Sequence, residues 1–284
     1  MKELKGKVAV VTGAASGIGR GMTEAFAAAG MRIVLSDVEQ RTLESATHSL
    51  RTQGADVHAV LADVSKPADV SALADSAVRK YGAVHVLCNN AGVAVSSSPS
   101  WMSTLDDWEW ILGVNLMGVV HGIRTFLPLM IEQGEDAHIV NTASMGGLTP
   151  TGGALYSATK SAVVAISESV YLELVHGGFK PRMSVLCPGF VSTNILDSAR
   201  NRPAQLSNTG AQPSGPAAEF FMQWFAEQIK QGLSPRAVGE QVLQAIRDER
   251  FYILPSPEWG TYVEHRMKQI VNGENPTLLP LPGM

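Results

Sequence analysis

Apolar residues in this chain fall into short runs without alternation, separated by longer stretches where they recur every three or four positions. Val8–Val11, Arg32–Leu35, Val57–Leu61, Val84–Cys88, His138–Thr142 and Met183–Cys187 are the short runs. Runs of this kind read as strands buried on both faces of a sheet. The stretches between them, Gly17–Ala29, Gln40–Thr52, Pro67 to about Lys80, about Leu105–Glu132 and Leu155–His176, carry helical spacing. Gly30 stands where a helix C-cap is expected, and Pro67 at a first helical position, where its missing N–H costs nothing. Strand and helix in strict alternation predict right-handed βαβ units. The expected fold class is therefore α/β, a Rossmann-like doubly wound parallel sheet of about seven strands with helices on both faces.

The rhythm breaks after Cys187. Between Val191 and Gly232 lie Pro203, Pro213, Pro216 and the apolar run Phe220–Phe225. So long a departure inside a domain is usually functional, and a substrate lid is expected at about 192–232. Regularity returns with Ser234-Pro235, a helix start running to about Arg247, and a last strand at Phe251–Leu254. A tail from about Pro255 holds an amphipathic stretch, Tyr262–Val271. Repeats, linkers and low-complexity blocks are not evident, so a single domain over 1–284 is expected.

Composition narrows the classes. Charged residues are 17 % of the 284, apolar residues 45 %, and the net charge is −4. An acidic chain with so few charges speaks against nucleic acid as a partner. No apolar run approaches the roughly 18 residues of a spanning helix, so no membrane partner is expected. Cys88 and Cys187 read as buried thiols of a reducing compartment, and the location expected is cytoplasmic. The seven histidines form no pair with metal-ligand spacing, so no metal is expected. Trp101, Trp108 and Trp110 read as core or subunit contacts.

The first strand runs into Thr12-Gly13-Ala-Ala-Ser16-Gly17-Ile18-Gly19 and then a helix. Such a turn lets backbone N–H groups approach a pyrophosphate at the positive end of the helix. Asp37 stands 18 positions beyond Gly19, at the end of the second strand. A carboxylate there can accept from both ribose hydroxyls of NAD and repels a 2′-phosphate. Arg41 lies close enough to offer a counter-charge, which leaves NADP possible.

Further motifs follow in order: Asn89-Asn90-Ala91-Gly92 after the fourth strand, Asn115 in the long helix, Ser144 after the fifth strand, Tyr156-x-x-x-Lys160, and Pro188-Gly189 after the sixth. Together with the glycine turn they resemble the short-chain dehydrogenase/reductase family from Lys5 to about Leu254. The resemblance implies an NAD-dependent oxidoreductase acting on CH–OH groups, with Asn115, Ser144, Tyr156 and Lys160 as catalytic residues. A tyrosine with a pKa of about 10 must lose its proton to act as a base. Lys160, one helical turn from Tyr156, should favour the phenolate together with the charge of the oxidised nicotinamide. Ser144 suits a hydrogen-bond role at the substrate oxygen. The resemblance implies that Asn115 joins a water relay from Lys160. One departure stands out: Ser144 and Tyr156 are 12 apart, a residue shorter than the family spacing, across a loop containing Gly146, Gly147, Gly152 and Gly153.

The resemblance also implies cofactor contacts. Gly13, Ser16, Gly17, Ile18 and Gly19 would form the phosphate turn, with Ile18 on the nicotinamide. Asp63 would receive the adenine amino group with the Val64 backbone beside it, and Asn90, Ala91 and Gly92 would line the adenosine ribose. Val191 and Thr193 would hold the carboxamide, and Pro188, Gly189, Tyr156 and Lys160 complete the set. Val93, Ala94, Val95, Met145, Leu148, Leu155, Phe190, Met222 and Trp224 are candidate substrate contacts, all apolar. They point to a bulky hydrophobic or aromatic secondary alcohol and its ketone.

The whole-chain pattern, including Asp106–Ile111 and Pro257–Asn275, resembles dehydrogenases that oxidise benzylic alcohols of lignin-derived aryl ethers. A hydroxysteroid-type or 3-oxoacyl-type reductase using NADP, and a cofactor-binding regulatory protein without catalysis, are the alternatives. Apolar residues left over on the two long helices (Ile111, Leu112, Val119, Val120; Val163, Val164, Val170, Leu174) predict a homodimer or homotetramer.

Overall fold

Val8–Thr12 (β1), Arg32–Asp37 (β2), Val57–Leu61 (β3), Val86–Asn89 (β4), His138–Thr142 (β5), Arg182–Leu186 (β6) and Tyr252–Ile253 (β7) form one seven-stranded sheet. The computed structural model describes residues 1–95, 99–151, 153–207 and 216–281. Gly152, Pro213 and the middle of the expected lid lie outside them. The strand order is β3-β2-β1-β4-β5-β6-β7, and every pairing is parallel. The order reverses direction between β1 and β4, which opens a crevice at their C-terminal ends. β1 and β5 are buried at every position, as runs covered on both faces require.

Helices cover the two faces. Gly17–Ala28 (α1), Gln40–Thr52 (α2) and Pro67–Tyr81 (α3) follow the first three strands. Leu105–Leu112 (α4) and Gly118–Gln133 (α5) follow β4, and Met145–Leu148 (α6) and Ala154–His176 (α7) follow β5. Pro216–Gln231 (α8), Pro235–Asp248 (α9) and Gly260–Asn272 (α10) complete the chain. One core lies between the sheet and α1, α2 and α9, where Met22, Phe26, Leu50, Val238 and Val242 meet. The other lies against α3, α5 and α7, where Leu73, Phe126, Met130 and Val163 meet.

Three expectations need correction. The single long helix is interrupted: a π-turn at Gly113–Met117, centred on Asn115, separates α4 from α5. Periodicity is blind to one extra residue in a turn. That helical stretch, Leu105–Gln133, is also long and apolar enough by length and composition to cross a membrane, which the reading of runs overlooked. Here Ile111, Ile123, Phe126 and Met130 are buried within the chain. The leftover apolar patch does not exist as expected either. Ile111, Val119, Val163, Val164 and Leu174 are core residues, because the helices are buried on more than the face turned to the sheet.

Candidate active site

β1 ends in a turn shaped by close contact. Gly13 has φ +62, and a Cβ there would stand 2.9 Å from the Ala91 Cα. A Cβ on Gly19 would stand 2.1 Å from the Gly13 carbonyl oxygen. These glycines let the turn and the loop after β4 lie against each other. Thr12 fastens them: its Oγ1 accepts from the backbone N–H of Asn90 (2.9 Å) and Ala91 (3.1 Å) and donates to the Cys88 carbonyl (3.2 Å). Ser16 is the N-cap of α1, yet no side chain closes that cap. The first-turn N–H groups of a helix need partners from outside it, so this end suits an anionic group.

A cavity of about 1040 Å³ opens from this turn and runs along the C-terminal ends of the strands. Gly13, Ser16, Gly17, Ile18, Asp37, Asp63, Val64, Asn90, Ala91, Gly92, Pro188, Gly189, Val191 and Thr193 all line it, with Ser144, Tyr156 and Lys160. Gly19 does not; its part is to close the turn. Asn115 does not face the cavity either. It is fully buried, accepting from the Val93 N–H at 2.8 Å and donating to the Val93 carbonyl at 2.9 Å. The π-turn aims this amide across at the loop after β4, and π-bulges often mark functional sites.

Asp37 is buried at the β2 end of the cavity, where its carboxylate accepts from the Ala15 N–H (2.9 Å) and the Glu39 N–H (3.0 Å). Burial nevertheless raises its pKa above the ordinary carboxylate value. Asp63 is turned partly inward, accepting from Ser65 N–H and Oγ at 3.0 and 2.7 Å. Arg41 does not line the cavity. The cation at this end is Arg200, which the sequence reading missed because it comes from the segment after β6.

At the other end, Ser144 caps α6, and its Oγ accepts from the Gly146 N–H at 3.1 Å. The same hydroxyl hydrogen-bonds the Tyr156 phenol and favours its ionised form. Burial outweighs this and raises the Tyr156 pKa. The expected lowering by Lys160 is therefore not supplied by the protein's own groups. Lys160 Nζ lies 5.8 Å from the Tyr156 ring centroid and donates to the Thr142 carbonyl at 2.9 Å. Burial lowers the pKa of this ammonium to about 8, since desolvation disfavours a charge. Gly92 passes close above: a Cβ there would lie 3.4 Å from Lys160 Nζ and 3.5 Å from Asn115 Oδ1. Lys160 and Asn115 thus meet beneath the loop after β4, while Ser144 and Tyr156 meet at Gly146, where a Cβ would lie 3.6 Å from Ser144 Oγ and 3.4 Å from the Tyr156 ring. The short Ser144–Tyr156 spacing does not prevent this.

Beyond Tyr156 the wall is apolar. Val93, Ala94, Val95, Met145, Phe190 and Met222 line it as expected; Leu148, Leu155 and Trp224 do not. Leu155 is buried against Trp110 and Ile111, and Trp224 stands behind Phe190, with ring centroids 5.9 Å apart. In their place the fold brings Phe221, Phe225, Trp101, Trp110 and Trp259 to the cavity. Trp101 is 84 % exposed at the rim, so it is neither a core residue nor hidden from solvent within the chain. Trp259, buried, packs edge-on to Phe190 at 5.7 Å. The hydrophobic run Phe220–Phe225 and the tail signalled part of this wall, but their meeting at Phe190 is not visible in sequence.

Comparison with known proteins identifies the family. The model of the short chain dehydrogenase family matches residues 7–204. A solved short chain dehydrogenase/reductase from Burkholderia phymatum, in complex with NAD, superposes with a TM-score of 0.94 at 44 % identity, covering 99 % of this chain and 100 % of that one. The CLA biosynthesis dehydrogenase/reductase of Lactiplantibacillus plantarum is 36 % identical over 100 % of both chains. The C alpha-dehydrogenase of a Sphingobium species is 32 % identical, over 97 % of this chain and 89 % of the relative.

Proposed function

Because the chain belongs to the short-chain dehydrogenase family, we propose that it interconverts a bulky hydrophobic or aromatic secondary alcohol and its ketone, with NAD as hydride carrier. The observation that carries this reading is one cavity holding both the uncapped glycine turn with Asp37 and the Ser144–Tyr156–Lys160 group. The dinucleotide, when bound, supplies the hydride acceptor or donor. The chain does the rest.

The open N-terminus of α1 takes the phosphates, and Asp37 takes the adenosine ribose hydroxyls. Asn90, Ala91 and Gly92 line that ribose, and Asp63 with Val64 receives the adenine. Ile18 packs on the nicotinamide, whose carboxamide meets Val191 and Thr193. Ser144 Oγ holds the substrate oxygen beside the Tyr156 hydroxyl, which takes the alcohol proton or returns it to the ketone. Lys160 contacts the nicotinamide ribose and favours the phenolate once the cofactor's positive charge offsets burial. The Asn115 amide is engaged with Val93 and Thr159, so it holds the loop after β4 beside Lys160. Among the described residues, the apolar wall beyond Tyr156 includes no cation for a phosphate or carboxylate on the substrate; Arg200 lies at the opposite, β2 end.

Tyr156→Phe keeps the ring and removes the acid. Turnover of hydrophobic secondary alcohols, followed by NADH absorbance, should fall by at least about a hundredfold while NADH still binds. Undiminished turnover would overturn the assigned mechanism. A homodimer or homotetramer remains the proposed assembly, supported now by exposed Met117 in the π-turn and exposed Leu172 and Val175 on α7. Sedimentation of a stable, active monomer at micromolar concentration would refute it.

A further inference from the structure

The β2 end of the cavity holds a charge cluster that the reaction leaves unused. Glu39, two residues past Asp37, lines the cavity together with Arg200 and Asn201, which arrive from the segment after β6. Arg200 donates to Glu39 Oε1 from Nε at 3.0 Å and from Nη2 at 2.8 Å. Asn201 Nδ2 donates to the same oxygen at 2.8 Å, and Thr42 Oγ1 to Oε2 at 3.3 Å. These donors hold the Glu39 carboxyl below its ordinary pKa despite partial burial, so it is charged at neutral pH. The remaining Arg200 nitrogen, Nη1, is turned to the carbonyls of Asn194 and Asp197. Among the described cavity-lining residues the cations are Lys160, at the tyrosine end, and Arg200.

A 2′-phosphate on the adenosine ribose would arrive beside Asp37 and within the neighbourhood of Arg200. Arginine is the side chain best suited to take a phosphate with two parallel hydrogen bonds. Here the fork that would do so is already turned onto Glu39. We propose that Glu39 is a specificity-determining residue for the dinucleotide: it occupies the Arg200 guanidinium and so denies NADP the cation that would hold its 2′-phosphate. Asp37 excludes the phosphate by its own charge; Glu39 excludes it by engaging Arg200. Discrimination of this kind works by removing a partner as well as by repulsion. The same clasp fastens the segment after β6 across the ribose end of the site.

The inference rests on the dinucleotide reading above, and direct binding separates the two. Calorimetric dissociation constants for NADH and NADPH are measured without substrate on the wild-type chain, on Glu39→Gln, and on Glu39→Gln with Arg200→Gln. The ratio of NADPH to NADH affinity should rise about tenfold or more in Glu39→Gln. That gain should disappear when Arg200 is also replaced. An unchanged ratio in Glu39→Gln overturns the proposal. An equal gain with and without Arg200 overturns it too, because the carboxylate would then act by its own charge. A wild-type chain that binds neither dinucleotide refutes the cofactor reading itself, and this proposal with it.

Discussion

Lys160 shows how one buried residue carries the chemistry of its surroundings. It is 3 % exposed, and burial brings its pKa down from 10.5 to about 8. Below pH 8 both folded and unfolded chains hold the proton. Between about 8 and 10.5 the unfolded chain holds more protons than the folded one, so the lysine's contribution to stability rises with pH in that window. The unfolding free energy of the wild type relative to Lys160→Met should therefore increase from about pH 7.5 to about pH 9.5, by up to about 2 kcal/mol. Denaturant melts at the two pH values measure it. A flat difference would show that the folded lysine keeps its proton.

At the scale of elements, a glycine on a helix makes room for a polar side chain of the sheet. A Cβ on Gly122 of α5 would stand 1.9 Å from Asn89 Oδ1 on β4. Asn89 Nδ2 donates to Asn141 Oδ1 at 2.9 Å, and Asn141 Nδ2 donates to Ser167 Oγ at 2.9 Å, a buried polar row from β4 through β5 to α7. Gly122→Ala should push α5 outward and disturb this row, at a cost of about 1–3 kcal/mol, read as a lower Tm.

β5 and β6 carry a second buried link. Ser184 Oγ donates to the Arg250 carbonyl at 2.6 Å, so it accepts from the His138 Nε2–H at 2.7 Å. Burial depresses the His138 pKa to about 3. From about pH 6.5 down to 3 the unfolded chain holds the extra proton, so stability is lost as pH falls through that range. His138→Phe should flatten this acid limb in melts between about pH 6.5 and about pH 4. An unaltered limb would place the acid sensitivity in other groups.

At the scale of the whole molecule, the dinucleotide half of the site and much of the substrate wall come from different stretches of chain. The family match ends at residue 204, while Phe221, Phe225 and Trp259 arrive from beyond it. Arg202 secures the junction: Nη1 donates to the buried carboxylate of Asp107 at 2.6 Å, its guanidinium lies over the Trp110 ring at 5.1 Å, and Nε donates to the Leu206 carbonyl. Asp107 also closes the capping box of α4, so the wall is tied to the helix that leads into Asn115. Trp259→Ala should remove a fully packed anchor, lower stability by about 3–5 kcal/mol, and raise KM for bulky hydrophobic substrates more than it weakens NADH binding. Steady-state kinetics beside NADH titration test this. An unchanged KM would place the substrate away from the tail.

The local pattern was enough for most of the fold. Unalternating apolar runs produced six strands within a residue or two, because a strand buried on both faces needs no partner's help to be recognised. The glycine turn, Asp37, Ser144, Tyr156 and Lys160 were legible because their spacing is set by the βα units that carry them. What local pattern could not supply was any contact made across distant segments. The π-turn at Asn115, the burial of Ile111, Val119, Val163 and Val164 on the long helices, the raised pKa of Tyr156, the packing of Trp259 on Phe190 and the pairing of Glu39 with Arg200 all depend on which segments lie side by side. Desolvation and close packing are properties of that arrangement, and they exist only once the chain has folded.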